Sequence, residues 1–551
     1  MRRRSVLTLA GLAAPAAALL SATDGAGGPG DLRVRRSLTD LQRDYAEGRK
    51  KPLEDLMRAW KGVKELPPGD PRSFYVLGGY HGEPFRGPGW NDSAYWGGYC
   101  QHGNVLFPVW HRIFLHQVEE ALRSIPGCGE VTLPFWDEYG EDARTGGLPW
   151  ALTSETFELD GETIPNPLRS YTLPVTIVDH VGGAAANYGK PAGYETVRYP
   201  YSGLVGTPED RAATAAHNAR WTYPEAVTVL NANVVAWLNQ EITVRGKTVS
   251  TGVRQAYADC LDAPNYTVFS NTTSAGHWNR DALAVVPLEN PHNKIHLAVG
   301  GFDVPGVKDD SLIPGANGDM GENDTAALDP VFFFHHCFVD RVFWLWQKRH
   351  GATDDLAVIA EYPGTSSADY QGTTPGLPSG ATLSMDTPLA PFLLAEDGIS
   401  RAYTGRDAFD IERQLGYTYA GGSLDGPAGV TAAQPAASGE PRVHVSGINR
   451  TSISGSFLIT AFAEIDGERT PIGSEAVLSR WHVDGCANCQ THLLAGATFP
   501  LHGLPAGQAG GGAIEVEVRT HGGLLGGRPR GPAASAEEDA DTRPHFRVDV
   551  R

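Results

Sequence analysis

The sequence predicts a mainly helical domain, built as a four-helix bundle, that is followed by a small C-terminal β-sandwich. Before residue 420, apolar residues recur at helical spacing in several segments. After a linker at 421–441 that is largely Gly, Ala, Pro and Ser, the apolar period changes to two. The 551 residues also exceed the usual size of one domain. We therefore expect a helical domain at 23–420 and a β domain at 442–551.

Helical spacing occurs in five stretches of the first domain. Asp329-Pro330 precede the last of them, where proline is favoured in a first helical turn. The density of Gly, Pro and aromatic residues at 69–99 predicts an ordered loop, and 134–223 is predicted as a long, turn-rich insertion. The predicted helical stretches are 38–66, 107–122, 224–240, 294–299 and 332–346.

The β domain is predicted from strict alternation of apolar and polar residues. Ile514, Val516 and Val518 alternate with charged residues, and the pattern returns from Phe546 to Val550. A sandwich of about 110 residues has the usual size for this architecture. A loop rich in Gly, Pro and acidic residues is expected to interrupt it at 522–543.

The N-terminus has the pattern of an export signal. Three arginines at Arg2, Arg3 and Arg4 precede an alanine-rich apolar stretch that ends near Leu20. This stretch is too short for a good membrane anchor, and 1–22 is predicted as a twin-arginine-type signal peptide of a secreted protein. The alternative is a disordered basic tail.

Charge and cysteine content exclude several classes of protein. The net charge of −19 disfavours binding to nucleic acid or to anionic membranes. Six cysteines are too few for a disulfide scaffold. We expect a small substrate that is neutral or cationic, with no nucleic-acid and no membrane partner.

Two clusters of histidines dominate the chemistry that this chain can perform. Their imidazoles come without an intervening carboxylate ligand, which describes two metal sites with three neutral nitrogen donors each. A di-iron bundle would recruit glutamates, and a structural zinc site would usually include cysteines. The donor set therefore favours copper. The two trios are His81, His102 and His111, then His292, His296 and His336.

Long motifs surround both trios. The first reads His102-Gly-Asn-Val-Leu-Phe-Pro-Val-Trp-His111-Arg112; the second reads His292-Asn-Lys-Ile-His296 and then Asp329-Pro-Val-Phe-Phe-Phe-His335-His336-Cys-Phe-Val-Asp340-Arg341. These segments resemble the two copper motifs of the tyrosinase family, and the likeness covers roughly residues 35–520. Gly79-Tyr-His81-Gly-Glu-Pro-Phe and Tyr99-Cys100-Gln-His102 are most similar to the fungal-type pro-tyrosinases.

The resemblance implies a four-helix bundle around a dinuclear centre with two copper ions and dioxygen as co-substrate. It implies ortho-hydroxylation of monophenols and oxidation of o-diphenols to o-quinones. The first trio would bind one copper ion and the second trio the other. It also implies a thioether bond between Cys100 and His102, for which the alternative is a free buried thiol.

Charged neighbours of the ligands are expected to orient them. His335 points about 100° away from His336, so both cannot reach one ion, and spacing to Asp340 in the family motif selects His336. Asp340 is a candidate orienter of His336, and Arg112 is expected to pair with Glu119 or Asp340. The alternative for these charges is a buried ion pair that only braces the bundle.

Glu289 and Asn293 flank His292 in a way that resembles the family's arrangement for holding a basic water. Such a water would remove the phenol proton, so we expect monophenolase as well as diphenolase activity. The alternative is that Glu289 caps the helix of His292 near its positive end.

The C-terminal domain carries a Cys-x-x-Cys at Cys486 and Cys489. The resemblance implies that this pair loads copper and that the domain shields the site until a protease removes it; a disulfide between the two cysteines is the alternative. The linker at 421–441 would be the cleavage site. An apolar side chain, Phe457, Phe462 or Trp481, would plug the pocket.

Three other functions remain open. A catechol oxidase or an o-aminophenol oxidase would lack monophenolase activity, and a haemocyanin-like carrier would bind dioxygen reversibly. The natural phenol and the oligomeric state do not follow from the sequence.

Overall fold

The structure is a computed structural model. It describes residues 32–82, 98–178, 188–280, 284–306, 313, 315, 317–366, 368–369, 372–373, 381–396, 399–425, 441–483, 493–504, 514–527 and 546–550. The predicted signal peptide, most of the predicted linker, and Cys486 with Cys489 lie outside these residues.

The first part of the chain is mainly helical, as predicted. Its largest apolar cluster packs the helices around α13, whose residues are nearly all buried. Among the described residues the α-helices are α1 Leu38–Ala46, α2 Lys51–Glu65, α3 Phe74–His81, α4 Phe107–Arg123, α5 Glu141–Gly146, α6 Trp150–Thr153, α7 Pro208–Asn218, α8 Tyr223–Leu238, α9 Val253–Cys260, α10 Tyr266–Ser270, α11 Thr272–Trp278, α12 Glu289–Gly300, α13 Val331–His350 and α14 Ile411–Gln414.

The C-terminal part is a pair of antiparallel sheets. One has the order β16-β13-β19 and the other the order β15-β14-β17-β18. The described strands are β1 Arg33–Arg35, β2 Thr156–Leu159, β3 Glu162–Pro165, β4 Ile177–Val178, β5 Gly189–Lys190, β6 Glu241–Val244, β7 Lys247–Ser250, β8 Ala368–Asp369, β9 Gly372–Thr373, β10 Pro388–Glu396, β11 Ile399–Thr404, β12 Tyr417–Tyr419, β13 Arg442–Asn449, β14 Phe457–Ile465, β15 Glu468–Val477, β16 Leu494–Pro500, β17 Ile514–Thr520, β18 Gly523–Gly527 and β19 Arg547–Val550.

A separate apolar core lies between these two sheets, which confirms the predicted β domain. In β17 buried and part-exposed residues alternate, as the period of two predicts. The predicted loop at 522–543 was wrong at its start, because β18 pairs there with β17. Ile242 and Val244 of β6 also join this core, and β15 packs against α12. The two parts of the chain are therefore in direct contact.

The segment before His81 is the main error in the predicted helices. A loop was predicted at 69–99, but α3 occupies Phe74–His81. Gly78 faces the turn at Ala327, where an added Cβ would lie 2.7 Å from the carbonyl oxygen. A glycine that close packing requires therefore hid a short apolar helix.

The segment that joins the end of the helical part to its start is a short parallel pair. Strand β1 pairs with β12, so Val34 lies opposite Thr418.

Each helix among the described residues is too short or too polar to span a lipid bilayer.

Replacing Ser73 by Ala should lower the free energy of unfolding by about 1 kcal/mol. The Ser73 hydroxyl accepts a hydrogen bond from the Val76 N–H and caps α3, which carries His81. Urea denaturation checks this value. The control Ser400→Ala removes an exposed hydroxyl on β11 and should change stability by less than about 0.5 kcal/mol; an equal loss in both variants would contradict the role of the cap.

Candidate metal centre

The second trio of histidines forms a closed triangle of ring nitrogens. His292 and His296 project from α12 and His336 from α13, and all three are buried. The Nε2–Nε2 distances are 3.1 Å for His292–His296 and 3.2 Å for each of the other two pairs. Three nitrogen lone pairs that converge this closely repel one another unless a cation lies between them.

Contacts at the other ring nitrogen orient two of these imidazoles. The Nδ1–H of His292 donates to Asn293 Oδ1 at 2.9 Å, and the Nδ1–H of His296 donates to the Met320 carbonyl at 2.8 Å. Each bond places the proton on Nδ1 and leaves the Nε2 lone pair for a metal ion.

The first trio comes from three different elements. His81 ends α3, His102 lies in the loop before α4, and His111 lies in the first turns of α4. The ring centroids are 5.1–5.5 Å apart. The Nε2 atom of each ring is buried and has no hydrogen-bond partner among the described residues, while the Nδ1–H of His111 donates to the Phe107 carbonyl.

The two trios face each other across one chamber. The rings of His111 and His336 are stacked with centroids 4.6 Å apart, and those of His102 and His292 are 5.7 Å apart. Phe332 stacks on His336 at 3.9 Å and forms part of the apolar wall. The geometry brings all six predicted ligands into one site.

Burial keeps every one of these rings neutral. Desolvation lowers the pKa of His111 to about 3 and lowers the pKa of each of the other five well below the usual value. Neutral imidazole is the form that donates to a metal. The orphaned nitrogens and the all-imidazole donor set therefore fit two copper ions.

Glu289 lies beside the site and joins its two halves. Its Oε1 accepts from the Gly103 N–H at 2.7 Å, and its Oε2 accepts from the N–H and hydroxyl of Thr272 at 2.9 and 3.0 Å. Burial raises its pKa, although these bonds oppose the shift. These bonds run to other segments of the chain. The start of α12 has no side-chain capping hydrogen bond, so Glu289 contributes to this helix only a favourable charge in the first turn.

Asp340 does not orient His336, contrary to expectation. It binds Arg112 at 2.6 Å and accepts the hydroxyls of Tyr417 and Tyr419 at 2.6 Å each, whereas His336 Nδ1 has no partner among the described residues. Burial alone would raise the pKa of Asp340, but the charges of Arg112 and Arg35 outweigh burial, so the pKa is lowered. Asp340 is therefore better described by the alternative, a buried ion pair that braces the helices.

Glu119 does not pair with Arg112 but belongs to the same brace. It pairs with Arg35 of β1 at 2.8 Å and with Arg33 of the same strand at 3.3 Å. Arg35 also lies over the ring of Tyr417 of β12, with 3.6 Å from its guanidinium carbon to the ring centroid. The pair β1–β12 thus delivers a cation and two tyrosines to the helices α4 and α13 that carry His111 and His336.

Cys100 lies at the edge of the first trio. Its Sγ and one ring nitrogen each of His81 and His102 are all within 4.8 Å of one another. Burial raises its pKa. The proximity agrees with a thioether to His102 and leaves that bond a prediction.

The β domain contacts this edge through Arg480, which sequence reasoning missed. Its Nη2 donates to the His81 carbonyl and to Cys100 Sγ, each at 3.1 Å, and its Nη1 pairs with Asp324 at 3.1 Å. The side chain is 1% exposed. Because 399 residues separate Arg480 from His81, no local pattern could have indicated the contact.

None of the three predicted plugs contacts a histidine of the trios among the described contacts. Phe457 lies in the core of the β domain, and Phe462 lies under Arg469. Trp481 packs on Tyr188 and His521. Among the described residues, the β domain approaches the ligands with a cation instead of an apolar ring.

Comparisons with known proteins agree on one family. A family model described as the common central domain of tyrosinase matches residues 71–349. The chain is 55% identical over 504 residues to tyrosinase HcTyr2 of Hahella sp. (strain CCB-MM4), covering 87% of this chain and 90% of that protein. It is 42% identical over 530 residues to the tyrosinase of Aspergillus oryzae (strain ATCC 42149 / RIB 40), covering 90% of this chain and 94% of that protein. A solved structure of tyrosinase from Burkholderia thailandensis matches with a TM-score of 0.79 at 49% identity, covering 94% of this chain and 100% of that chain.

The purified protein should bind two copper ions, and His81→Ala should bind one, because only the first trio loses a donor. Elemental analysis after dialysis gives the copper content per chain. The control His350→Ala removes an exposed imidazole at the end of α13 and should retain two ions. Two ions in His81→Ala would contradict the assignment.

Proposed function

The chain belongs to the tyrosinase family of copper oxidoreductases, and on that premise we propose that it hydroxylates monophenols at the ortho carbon and oxidises o-diphenols to o-quinones with dioxygen. The observation that carries the proposal is the pair of histidine trios facing each other in one buried chamber. His81, His102 and His111 would hold one copper ion, and His292, His296 and His336 the other. Bound copper supplies the electrons and the affinity for dioxygen.

The protein's own contribution begins with a rigid, dry set of donors. Each ring is held neutral by burial, and the backbone carbonyls of Phe107 and Met320 fix the protonated nitrogen of His111 and His296. A phenol that enters this apolar chamber is shielded from water, which protects a reactive quinone from side reactions.

A monophenol must also lose its proton, whose unperturbed pKa is near 10. Glu289 is the buried carboxylate one turn before His292, and burial raises its pKa, which makes its ionised form a stronger proton acceptor. Its bonds to Gly103 and Thr272 place it between the loop of His102 and the helix of His292. We assign it, acting through a water, as the proton acceptor, with Asn293 orienting His292 beside it.

Glu289→Gln and Asn293→Gly should each depress hydroxylation of tyrosine at least tenfold more than oxidation of catechol, because only the monophenol needs the proton acceptor. Initial rates on the two substrates, at equal copper content, measure the ratio. The exposed control Glu209→Gln should leave the ratio unchanged.

Equal losses on both substrates would refute the proton-removal role. A parent enzyme that oxidises catechol or o-aminophenol but not tyrosine would establish one of the narrower oxidases instead. Reversible dioxygen binding without turnover of catechol would favour the carrier.

The β domain supports a second proposal, that the chain is made in a latent form. Arg480 is buried against the His81 carbonyl and paired with Asp324, so the domain touches the residue that would bind the first copper. The Trp481 N–H also donates to Asp324 at 2.8 Å. We propose that this contact restricts the chamber until a protease cuts the linker at 421–441 and the domain leaves.

Arg480→Met should raise the activity of the uncut chain several-fold, because it removes the charge that holds the β domain on Asp324 while keeping an apolar stem. Catechol oxidation before and after limited proteolysis, corrected for copper content, measures the gain. Arg469→Met is the matched control, since Arg469 is exposed and its described ion pairs, with Glu515 and Glu517, both lie within the β domain. Latency is contradicted if clean removal of the β domain leaves the activity unchanged.

Three further assignments are proposals that rest on the resemblance. Cys486 and Cys489 would pass copper to the chamber, and a thioether between Cys100 and His102 would restrain a ligand that no helix positions. Secretion through the twin-arginine-type signal at 1–22 would deliver the protein already folded.

A further inference from the structure

Glu138 is a buried carboxylate outside the two histidine trios. It is hydrogen-bonded to His335, which is not one of the six predicted copper ligands. Glu138 Oε1 and His335 Nδ1 are 2.6 Å apart, and both side chains are fully buried. The second oxygen of Glu138 accepts the hydroxyl of Tyr257 at 2.6 Å. Both oxygens of the carboxylate are thus held in fixed positions.

Glu138 is itself fixed from two sides. Two residues earlier in the chain, the Trp136 N–H donates to the Phe334 carbonyl of α13 at 3.0 Å. On the other side, Tyr257 of α9 packs edge-on against Phe338 of α13, with ring centroids 5.0 Å apart. The carboxylate therefore moves only if α9 or α13 moves.

His335 passes this restraint to the second trio. Its ring is stacked on His292 with centroids 5.2 Å apart and an angle of 22°. The ring of His102 is also stacked near His292, with centroids 5.7 Å apart and an angle of 29°. The His292 ring thus has nearly parallel neighbours in His335 and His102, and it can rotate about its Cβ–Cγ bond only if one of them yields.

We propose that Glu138 is a positioning residue for the second copper ion. Its bond to Nδ1 stops the His335 ring from rotating, and the fixed ring holds His292 in the orientation that points Nε2 at His296 and His336. The contacts of His335 run to all three members of the second trio, at 5.1–5.2 Å between centroids, and no described ring contact joins it to the first trio. Loss of Glu138 should therefore loosen one copper ion and spare the other. This inference rests on the proposed assignment of the two trios as copper sites.

The experiment follows the release of copper from the loaded, full-length protein into a chelator, with electron paramagnetic resonance as a second readout. Outer groups that orient metal-bound histidines are typically worth 10- to 100-fold in metal affinity. Glu138→Leu should release one of its two ions at least tenfold faster than the parent, and the remaining isolated copper(II) should give a resonance signal that a coupled pair does not give. Glu138→Gln should behave like the parent, because its amide oxygen can still accept from His335 Nδ1. The control Glu130→Leu changes an exposed glutamate of the same connecting segment and should also match the parent.

Two results would overturn the inference. The first is a folded Glu138→Leu that releases both ions at the parent's rate. The second is faster release of both ions together with a lower unfolding temperature of the copper-free protein, which would indicate a general loss of stability. If Glu138→Leu does not fold, Glu138→Asp decides by the same criteria, since it keeps the carboxyl group but falls short of His335. A parent that never holds two ions would defeat the proposed function itself, which separates that failure from this one.

Discussion

The convergence of uncharged ring nitrogens inside an apolar chamber is the constraint on which this structure depends. Six imidazoles lie within a few ångströms of one another, so protonating several of them would place like charges side by side. Burial therefore has to keep them neutral, and it does so by lowering every one of their pKa values. The same burial makes each unpaired lone pair costly, and a bound soft cation would satisfy these nitrogens.

Charged groups are placed just outside this chamber, where each has a partner. The pairs Arg112–Asp340 and Arg35–Glu119 are fully enclosed, and two tyrosine hydroxyls complete Asp340. A buried pair of this kind contributes little net stability, yet removal of one partner costs several kcal/mol because the other is left unpaired. The network therefore specifies the positions of α4 and α13 more than it stabilises them.

Local sequence patterns predicted most of the fold and the members of the site. The spacing of His292 and His296 placed both on one face of a helix, and the alternation after residue 514 predicted the strands. The helix α3 was missed because packing against Ala327 requires a glycine at residue 78, and glycine-rich runs resemble loops. Glu138 and Arg480 were missed for a different reason. Glu138 is 197 residues from His335, and only the tertiary fold brings such groups together.

The parallel pairing of β1 with β12 has a consequence for how the chain folds. Arg35 and Tyr419 are 384 residues apart in sequence and hydrogen-bonded in space. A contact between residues so far apart carries the entropy cost of closing a long loop, so it forms more slowly than contacts between neighbouring segments. During synthesis the helices of the site therefore stay incompletely braced until the ribosome has released residue 419. The β domain, whose first strand begins at Arg442, is synthesised after both strands of this pair.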